Sequence, residues 1–305
     1  MYKAVSPLFN LSRKVKPVDI VITWVDSTDS DFMSDREKYY ESGDNRSCRF
    51  PDINNNELEL ETAILCIIKN IDWKGTIFIV TPFNQVPRCY FELKKIYHKI
   101  KVVFHEEIFP KHFKHALPIF NSHAVEANLH RIPKLSEKFL YFNDDMYVTK
   151  KINYSSVFDR GKIIVQPLEK PFAGRGDVYQ QMWRNMWDDR AMSPPWHGFL
   201  ALTKAIMSST EKFMKKDWNR TICSRFRSAT DIPPCGAAIN WALKNGQGKL
   251  AWNPLVLYAI YEVDTVWTDK QEYQDVVCIN NTADLQKSIQ NLKASIGKLP
   301  SIEHN

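Results

Sequence analysis

Glycine is scarce in this chain, which has only ten glycines among its 305 residues. It contains neither a Walker A loop nor a GxGxxG fingerprint, so kinase-like and dinucleotide-binding functions lose their main support. Its six cysteines form no CxxC pair and have no zinc-site spacing, which favours free thiols. No apolar run approaches the roughly 20 residues that a membrane helix needs, and the first residues lack the apolar region of a signal peptide. The sequence therefore indicates a cytoplasmic protein.

Neither sign of charge is in large excess, because the formal net charge is +6 and the pI is near 8.8. Such a balance suits anionic substrates or lipid headgroups and does not indicate a nucleic-acid-binding protein. Apolar residues make up 44% of the chain and charged residues 25%, which is typical of a globular protein. We expect a basic N-terminal segment, 1–17, that can lie against anionic lipid, followed by a single domain, 18–305.

Strand and helix patterns alternate through the first half of that domain. Strands are predicted over 18–25, 76–80, 100–105 and 138–142, and helices over 57–71 and 121–132. Alternation of this kind predicts an α/β fold with a mostly parallel sheet flanked by helices, here over residues 18–150. The remainder, 151–305, is predicted to be a helical part that supplies lids and completes the site, with helices over 201–216 and 233–248.

Asn143, Asp144 and Asp145 follow directly after the strand predicted over 138–142. Adjacent carboxylates repel each other unless a cation or several hydrogen-bond donors neutralise them. A divalent ion such as Mg²⁺ takes one or two protein carboxylates and fills its remaining positions with water and phosphate oxygens. The same three residues are also good turn formers, so a metal site and a plain turn both remain open. Asp26, at the end of the first strand, would lie on the same rim of a parallel sheet, or would simply cap its loop.

Histidines are concentrated between residues 105 and 130, but their spacing does not match an HExxH zinc motif. Glu126 and His130 are four residues apart on the helix predicted over 121–132, which would place them on one face. Arg131 could contact a phosphate group or form a surface ion pair of little energetic weight.

Four sequence blocks in order carry a family resemblance. The first is "VDIVITWVDSTD", and the second runs from "RFPDINNNELELETAI" to "ALPIFNSHAVEANLHRIPKLSEKFLYFNDDMYV". The third is "SPPWHGFLALTKAIM" followed by "RFRSATDI", and the fourth is "VVCINNTAD". Together the blocks resemble the Stealth family of sugar-1-phosphate transferases, which includes bacterial capsule polymerases and the transferase that tags lysosomal enzymes with GlcNAc-1-phosphate. The chain departs from the family pattern at Glu61 and Leu65, where arginines are usual, and at Asn281, where aspartate is usual.

The resemblance implies transfer of a hexose-1-phosphate, such as an N-acetylhexosamine-1-phosphate, from a UDP-sugar to a glycan hydroxyl with release of UMP. It also implies a GT-A-like core, a UDP-hexose donor, an oligo- or polysaccharide acceptor in capsule synthesis, and a place near the inner membrane or an export complex. His197 would be the general base, with Asp26 and Asp144 as further catalytic residues, and Asp144 and Asp145 would hold Mg²⁺ or Mn²⁺. The residues expected to bind substrate are Trp24, Glu126, His130, Arg131, Asn143, Arg225, Arg227 and Asp231.

Two other functions remain open from the sequence. A metal-dependent glycosyltransferase would use the same nucleotide sugar and strand-end aspartates but would break the anomeric C–O bond and release UDP. A glycan-binding relative would have lost catalysis through the replaced arginines and Asn281. The nucleotide product separates the first alternative from the phosphotransferase, and donor-dependent turnover would exclude the second.

Overall fold

The computed structural model describes residues 18–40, 56–166, 198–228, 230–260, 274–279, 284–297 and 300. The basic segment 1–17, His197 and Asn281 lie outside these residues. In the described part, no helix is both long enough and apolar enough to cross a bilayer.

A five-stranded sheet forms the centre of the fold. Its strands, in spatial order, are β3 (Ile100–Phe104), β2 (Lys74–Thr81), β1 (Val18–Thr23), β4 (Lys138–Asn143) and β8 (Leu200–Thr203). The first four are parallel, and β8 runs antiparallel to β4. β1 is buried along nearly its whole length, as expected for a β-branched central strand of a parallel sheet. The predicted mostly parallel α/β fold is confirmed.

Helices connect the parallel strands in the first half. α1 (Ser30–Tyr39) begins where the Asp29 carboxylate accepts a hydrogen bond from the backbone N–H of Phe32. The longest of the described helices, α2 (Asn56–Asn70), buries Leu60, Ile64 and Ile67 completely. The remaining short elements are α3 (Tyr90–Ile96), α4 (His105–Ile108), the 3₁₀ turn Lys111–Ala116, α5 (Ser122–Glu126) and the 3₁₀ turn Leu129–Arg131.

The prediction of one helix over 121–132 is wrong, although a helix does begin there, because Asn121 caps α5 by accepting a hydrogen bond from the backbone N–H of His123. α5 ends at Glu126, where the backbone N–H of Asn128 turns to the carbonyl of Val125, three residues back. The Asn128 amide then donates to the carbonyl of Ala124, a local bond that competes with the helical ladder. Because the helix is interrupted, Glu126 and His130 do not share a helical face.

The second half contributes both helices and strands. Its helices are α6 (Lys204–Phe213), α7 (Lys215–Cys223), α8 (Pro234–Lys244) and α9 (Leu285–Ile296). Two small sheets of the described part are ordered β10-β11-β5 and β6-β7-β9. Their strands are β5 (Met146–Val148), β6 (Phe158–Asp159), β7 (Lys162–Val165), β9 (Gly248–Leu250), β10 (Leu257–Ile260) and β11 (Val276–Ile279).

The helix predicted over 201–216 is replaced at its start by β8. Residues 200–203 pair with 138–141 of β4, which completes one edge of the central sheet. Thr203 then caps α6, because its hydroxyl accepts a hydrogen bond from the backbone N–H of Ile206. Pairing with the edge of β4 therefore makes residues 200–203 a strand, although their sequence pattern favours a helix.

Candidate functional site

Two neighbouring strands end side by side at the carboxyl edge of the central sheet. The last residue of β1, Thr23, lies opposite the last residue of β4, Asn143. Between them, the Tyr141 hydroxyl donates a hydrogen bond to Asn143 Oδ1 at 2.9 Å and lies 3.2 Å from Thr23 Oγ1. This is the edge at which open α/β sheets bind ligands. We call Thr23, Glu126, Tyr141, Asn143 and Arg227 the strand-edge cluster.

Glu126 brings an unusual carboxyl to this cluster from the end of α5. Burial raises its pKa to about 7, even though the Arg227 guanidinium and the neighbouring Cys235 and Tyr141 groups act to lower it. Burial also raises the pKa values of Tyr141 and Cys235 well above their ordinary ranges, so both keep their protons at neutral pH. Glu126 is therefore the member of the cluster whose protonation changes near pH 7.

Arg227 supplies positive charge beside that carboxyl. Its Nη2 donates to the hydroxyl of Ser122, in the first turn of α5. Asp231 is 3% exposed and holds the Arg227 loop, because its Oδ2 accepts from Asn121 Nδ2 and from the Ser228 N–H, both at 2.8 Å. Arg227 is consequently fixed against α5 by residues on both sides of it.

A neutral imidazole lies near the same arginine. Burial, together with the positive charge of Arg227, lowers the pKa of His123 to about 3. Since His123 stays uncharged at neutral pH, it does not cancel the negative charge of a bound phosphate or add to the charge of Arg227. Arg227 is thus the fixed cation of the strand-edge cluster.

Asp144 and Asp145 form the turn between β4 and β5, next to Asn143. Asp145 is 2% exposed, its carbonyl accepts from the Ile279 N–H at 3.1 Å, and its Oδ2 accepts from the Cys278 thiol at 3.5 Å. The end of β11 therefore meets this turn, which brings the second and fourth sequence blocks together. Within the described ranges, no group of three or more His, Cys, Asp or Glu side chains is arranged to hold a metal ion.

Asp26 and Trp24 follow β1 at the same edge. Asp26 Oδ1 accepts hydrogen bonds from the backbone N–H and the hydroxyl of Thr28, at 2.8 and 2.6 Å, which is the loop-capping arrangement considered from the sequence. Its backbone N–H and carbonyl are both bonded to the Gln85 amide. The Trp24 ring is 4% exposed and packs in the main hydrophobic core.

The Arg225 side chain forms its hydrogen bonds with backbone carbonyls and not with the strand-edge cluster. Its guanidinium donates to the carbonyls of residues 115–118 and lies over the Tyr39 ring, 4.2 Å from the ring centroid. The phosphate contact predicted for Arg225 stays a prediction, and the observed contacts show that it holds the 115–118 segment in place.

His130 and Arg131 share a partner on α6. His130 Nε2 lies 3.1 Å from Glu211 Oε2, and Arg131 Nη2 donates to Glu211 Oε1. Burial lowers the pKa of His130 despite this acceptor. The substrate contacts predicted for the two residues stay predictions, since these bonds tie the 3₁₀ turn to α6.

Tyr141 is the residue that sequence reasoning missed. It lies within a buried apolar strand and looks like a core residue there. Side chains two residues apart point to the same face of a strand, so Tyr141 and Asn143 share a face of β4. That periodicity was the available signal. Cys235, at the start of α8, had no comparable signal because its contact with Glu126 depends on the tertiary fold.

Comparison with known proteins finds similarity to one family and to several polysaccharide phosphotransferases. The model of conserved region 2 of the Stealth proteins matches residues 52–165. A capsular polysaccharide phosphotransferase of Haemophilus influenzae, fcs1, is 29% identical over 79% of this chain and 69% of its own length. The exopolysaccharide phosphotransferase CpsY of Mycobacterium tuberculosis is 29% identical over 81% of this chain and 48% of its own length.

Among solved structures, the galactosyltransferase LgtC, in complex with donor and acceptor sugar analogs, has a TM-score of 0.51 at 13% identity. The match covers 93% of this chain and 97% of that one, and it confirms the predicted GT-A-like fold. The sequence relatives confirm the predicted enzyme class, that of the phosphotransferases. Over residues 52–165 the chain is therefore similar to the Stealth proteins, and over most of its length it is similar to polysaccharide phosphotransferases.

Proposed function

We propose that the protein transfers a hexose-1-phosphate, of the N-acetylhexosamine type, from a UDP-sugar to a glycan hydroxyl in capsule or surface polysaccharide synthesis. The hydroxyl oxygen forms a bond to the β-phosphorus, the bond from that phosphorus to the bridging oxygen breaks, and UMP leaves. The observation that carries the proposal is the convergence of Asp144, Asn143, Glu126 and Arg227 at the carboxyl edge of β1 and β4. The names of the sequence relatives support a phosphotransferase at this site.

Phosphoryl transfer needs positioning and charge stabilisation more than covalent chemistry. Arg227 is fixed by Ser122 and presents a planar fork that suits phosphate oxygens. The Asn143 amide group can donate to a phosphate or sugar oxygen, because its Oδ1 is already occupied by Tyr141. Asp26 would orient the donor from the end of β1. His197, which lies outside the described residues, would accept the proton of the attacking hydroxyl.

A divalent cation would be held at the acidic turn after β4. Asp144 and Asp145 supply two adjacent carboxylates, the number that Mg²⁺ commonly takes from a protein when substrate phosphates complete its coordination. When bound, Mg²⁺ or Mn²⁺ would neutralise charge on the pyrophosphate. Asp145 is bonded to the Ile279 N–H and to the Cys278 thiol, and these bonds fix the turn to the end of β11.

The product nucleotide tests this function. Purified protein would be incubated with Mg²⁺, a panel of UDP-hexoses and capsule-type oligosaccharides, and the nucleotides resolved by chromatography. We expect acceptor-dependent UMP, which Asp144→Ala and His197→Ala abolish. Asp159→Ala is the matched control, since this carboxylate pairs with Lys249 on the small β6-β7-β9 sheet and should leave turnover unchanged.

The second candidate is a glycosyltransferase, which the shared fold with LgtC favours. Release of UDP in the same assay would establish it and refute sugar-1-phosphate transfer. A glycan-binding relative without activity would release no nucleotide from any donor.

We also propose that the protein works on the cytoplasmic side of the inner membrane, held peripherally by its basic segment 1–17 or by an export complex. Sedimentation with vesicles containing anionic lipid would test this. Wild-type protein should sediment at low salt, and a variant with Lys3, Arg13, Lys14 and Lys16 changed to Gln should remain in solution.

A further inference from the structure

The Tyr141 hydroxyl has more acceptors around it than it has protons. A phenol donates one hydrogen bond, and here that bond goes to Asn143 Oδ1 at 2.9 Å. Thr23 Oγ1 lies 3.2 Å from the same oxygen, and the Glu126 carboxyl is a third neighbour able to accept the phenolic proton. The direction of this single hydrogen bond decides how the Asn143 amide is presented.

We propose that Tyr141 is a positioning residue, whose hydroxyl turns the Asn143 NH₂ group toward the substrate and releases it when Glu126 loses its proton. The proposal rests on the function proposed above, because it assigns that NH₂ group to a phosphate or sugar oxygen of the donor. With Glu126 protonated, the Tyr141 proton is committed to Asn143 Oδ1, so both amide hydrogens are left for a ligand.

When Glu126 is ionised, the Tyr141 hydroxyl donates to a different acceptor. A carboxylate accepts a hydrogen bond more strongly than a neutral amide oxygen, so the phenolic proton moves to Glu126. The oxygen of Tyr141 can then only accept, and the Asn143 amide rotates to donate its own NH₂ group to it. The amide oxygen now faces the ligand, where it opposes phosphate or sugar oxygens instead of donating to them.

The charged and titratable groups around Glu126 keep their charge near neutral pH. Arg227 faces it from the segment 224–228, Cys235 from α8 and Tyr141 from β4. Asp144 adds negative charge near Tyr141, and burial keeps both the phenol and the Cys235 thiol protonated. His123, on the same helix as Glu126, is neutral. Between pH 5.5 and 8.5, Glu126 is therefore the group whose charge changes.

The direct test follows the Asn143 side-chain amide by NMR in protein labelled with ¹⁵N-asparagine, with the signal assigned from Asn143→Asp. In the wild type we expect the amide shifts to titrate with a midpoint near pH 7. Tyr141→Phe keeps the ring and removes the hydroxyl, and Glu126→Gln keeps the shape and removes the charge, so both should abolish the titration. An amide that does not titrate in the wild type, or that still titrates in Tyr141→Phe, would overturn the proposal.

A matched control separates positioning from general loss of structure. The Tyr97 hydroxyl donates to the Gly75 carbonyl at 2.6 Å, at the opposite edge of the sheet. Tyr97→Phe removes a comparable partly buried bond and should leave the Asn143 titration intact. Loss of the titration in this variant as well would show that the effect is structural and would refute a specific role for Tyr141.

Kinetics connect the amide to catalysis. From pH 6 to pH 8.5 the donor KM of the wild type should rise about tenfold, the worth of one hydrogen bond to a charged oxygen, with a smaller change in kcat. In Tyr141→Phe and Glu126→Gln the KM should lose this pH dependence, and an unchanged pH dependence would overturn the proposal. If the amide titrates but no UDP-hexose yields UMP, the proposed function fails while the coupling of Glu126, Tyr141 and Asn143 stands.

Discussion

The raised pKa of Glu126 makes the stability of the protein depend on pH. In the folded state the carboxyl keeps its proton up to about pH 7, whereas its ordinary pKa of 4.5 applies to the unfolded chain. Between these values the folded state binds more protons than the unfolded state, so the free energy of unfolding falls as pH rises. The contribution is fully present below about pH 4.5 and is lost as pH passes through 7.

The size of this effect follows from the two pKa values. A difference of about 2.5 between the folded and unfolded states corresponds to roughly 3 kcal/mol of stability. About 2 kcal/mol of that loss falls between pH 5.5 and pH 8.5. Since a domain is typically stable by only about 5–15 kcal/mol, the change is large enough to measure.

Replacing Glu126 by Gln removes the titrating group while keeping its volume. We expect the stability of Glu126→Gln, measured relative to the wild type, to increase by about 2 kcal/mol from pH 5.5 to pH 8.5. Urea unfolding at pH 5.5, 7.0 and 8.5, followed by tryptophan fluorescence, gives these differences directly. Comparison with the wild type at each pH cancels the other titrating groups.

Glu92→Gln serves as the control, because Glu92 forms a surface ion pair with Lys95 and such pairs contribute under about 1 kcal/mol. Its stability relative to the wild type should stay constant across the three pH values. A constant difference for Glu126→Gln as well, or a variant that loses stability relative to the wild type as pH rises, would refute the reasoning.

Three further predictions concern the surroundings of the site. Arg225→Lys should lower the free energy of unfolding by about 2 kcal/mol, since an ammonium group cannot span the carbonyls of 115–118; an unchanged urea midpoint would contradict this. Asp231→Ala should cost about 2–4 kcal/mol in thermal unfolding, because Asn121 Nδ2 and the Ser228 N–H lose a charged acceptor; a neutral effect would show that water replaces it. EDTA should stop nucleotide release and excess Mg²⁺ should restore it, whereas turnover in EDTA would exclude the metal proposed at Asp144 and Asp145.

The sheet was predictable because its strands are apolar, β-branched and bounded by polar residues. β1 and β4 lie within two residues of their predicted ends, and burial on both faces explains why each appears in the sequence as a continuous apolar run. β8 was not predictable in the same way, because Leu200–Thr203 directly precede a helix. These residues form a strand by pairing with β4, which is a tertiary contact. The break after Glu126 likewise depends on one side chain, Asn128, that competes for backbone bonds.

The candidate site was predictable only in part for a related reason. Asp26, Asn143 and Asp144 follow strands, and the parallel arrangement brings strand ends together. The sequence predicted the same substrate contact for Arg225 and Arg227. In the structure Arg227 lies beside Glu126, whereas the Arg225 guanidinium is bonded to backbone carbonyls. The orientation of the two arginines depends instead on tertiary contacts, because Asn121 bonds the carbonyl of Ser224 and Asp231 bonds the N–H of Ser228 on either side of them.

The position of β1 limits how the chain can be cut. Conserved region 2 matches residues 52–165, yet the strand that separates β2 from β4 in the sheet is β1, at residues 18–23, and the outer neighbour of β4 is β8, at residues 200–203. A fragment limited to the conserved region would lack both partners of β4 and would expose a buried apolar strand with two open edges, which promotes aggregation. The segment that matches conserved region 2 is therefore not an independent folding unit in this protein, and fragments intended for expression must include both flanking strands.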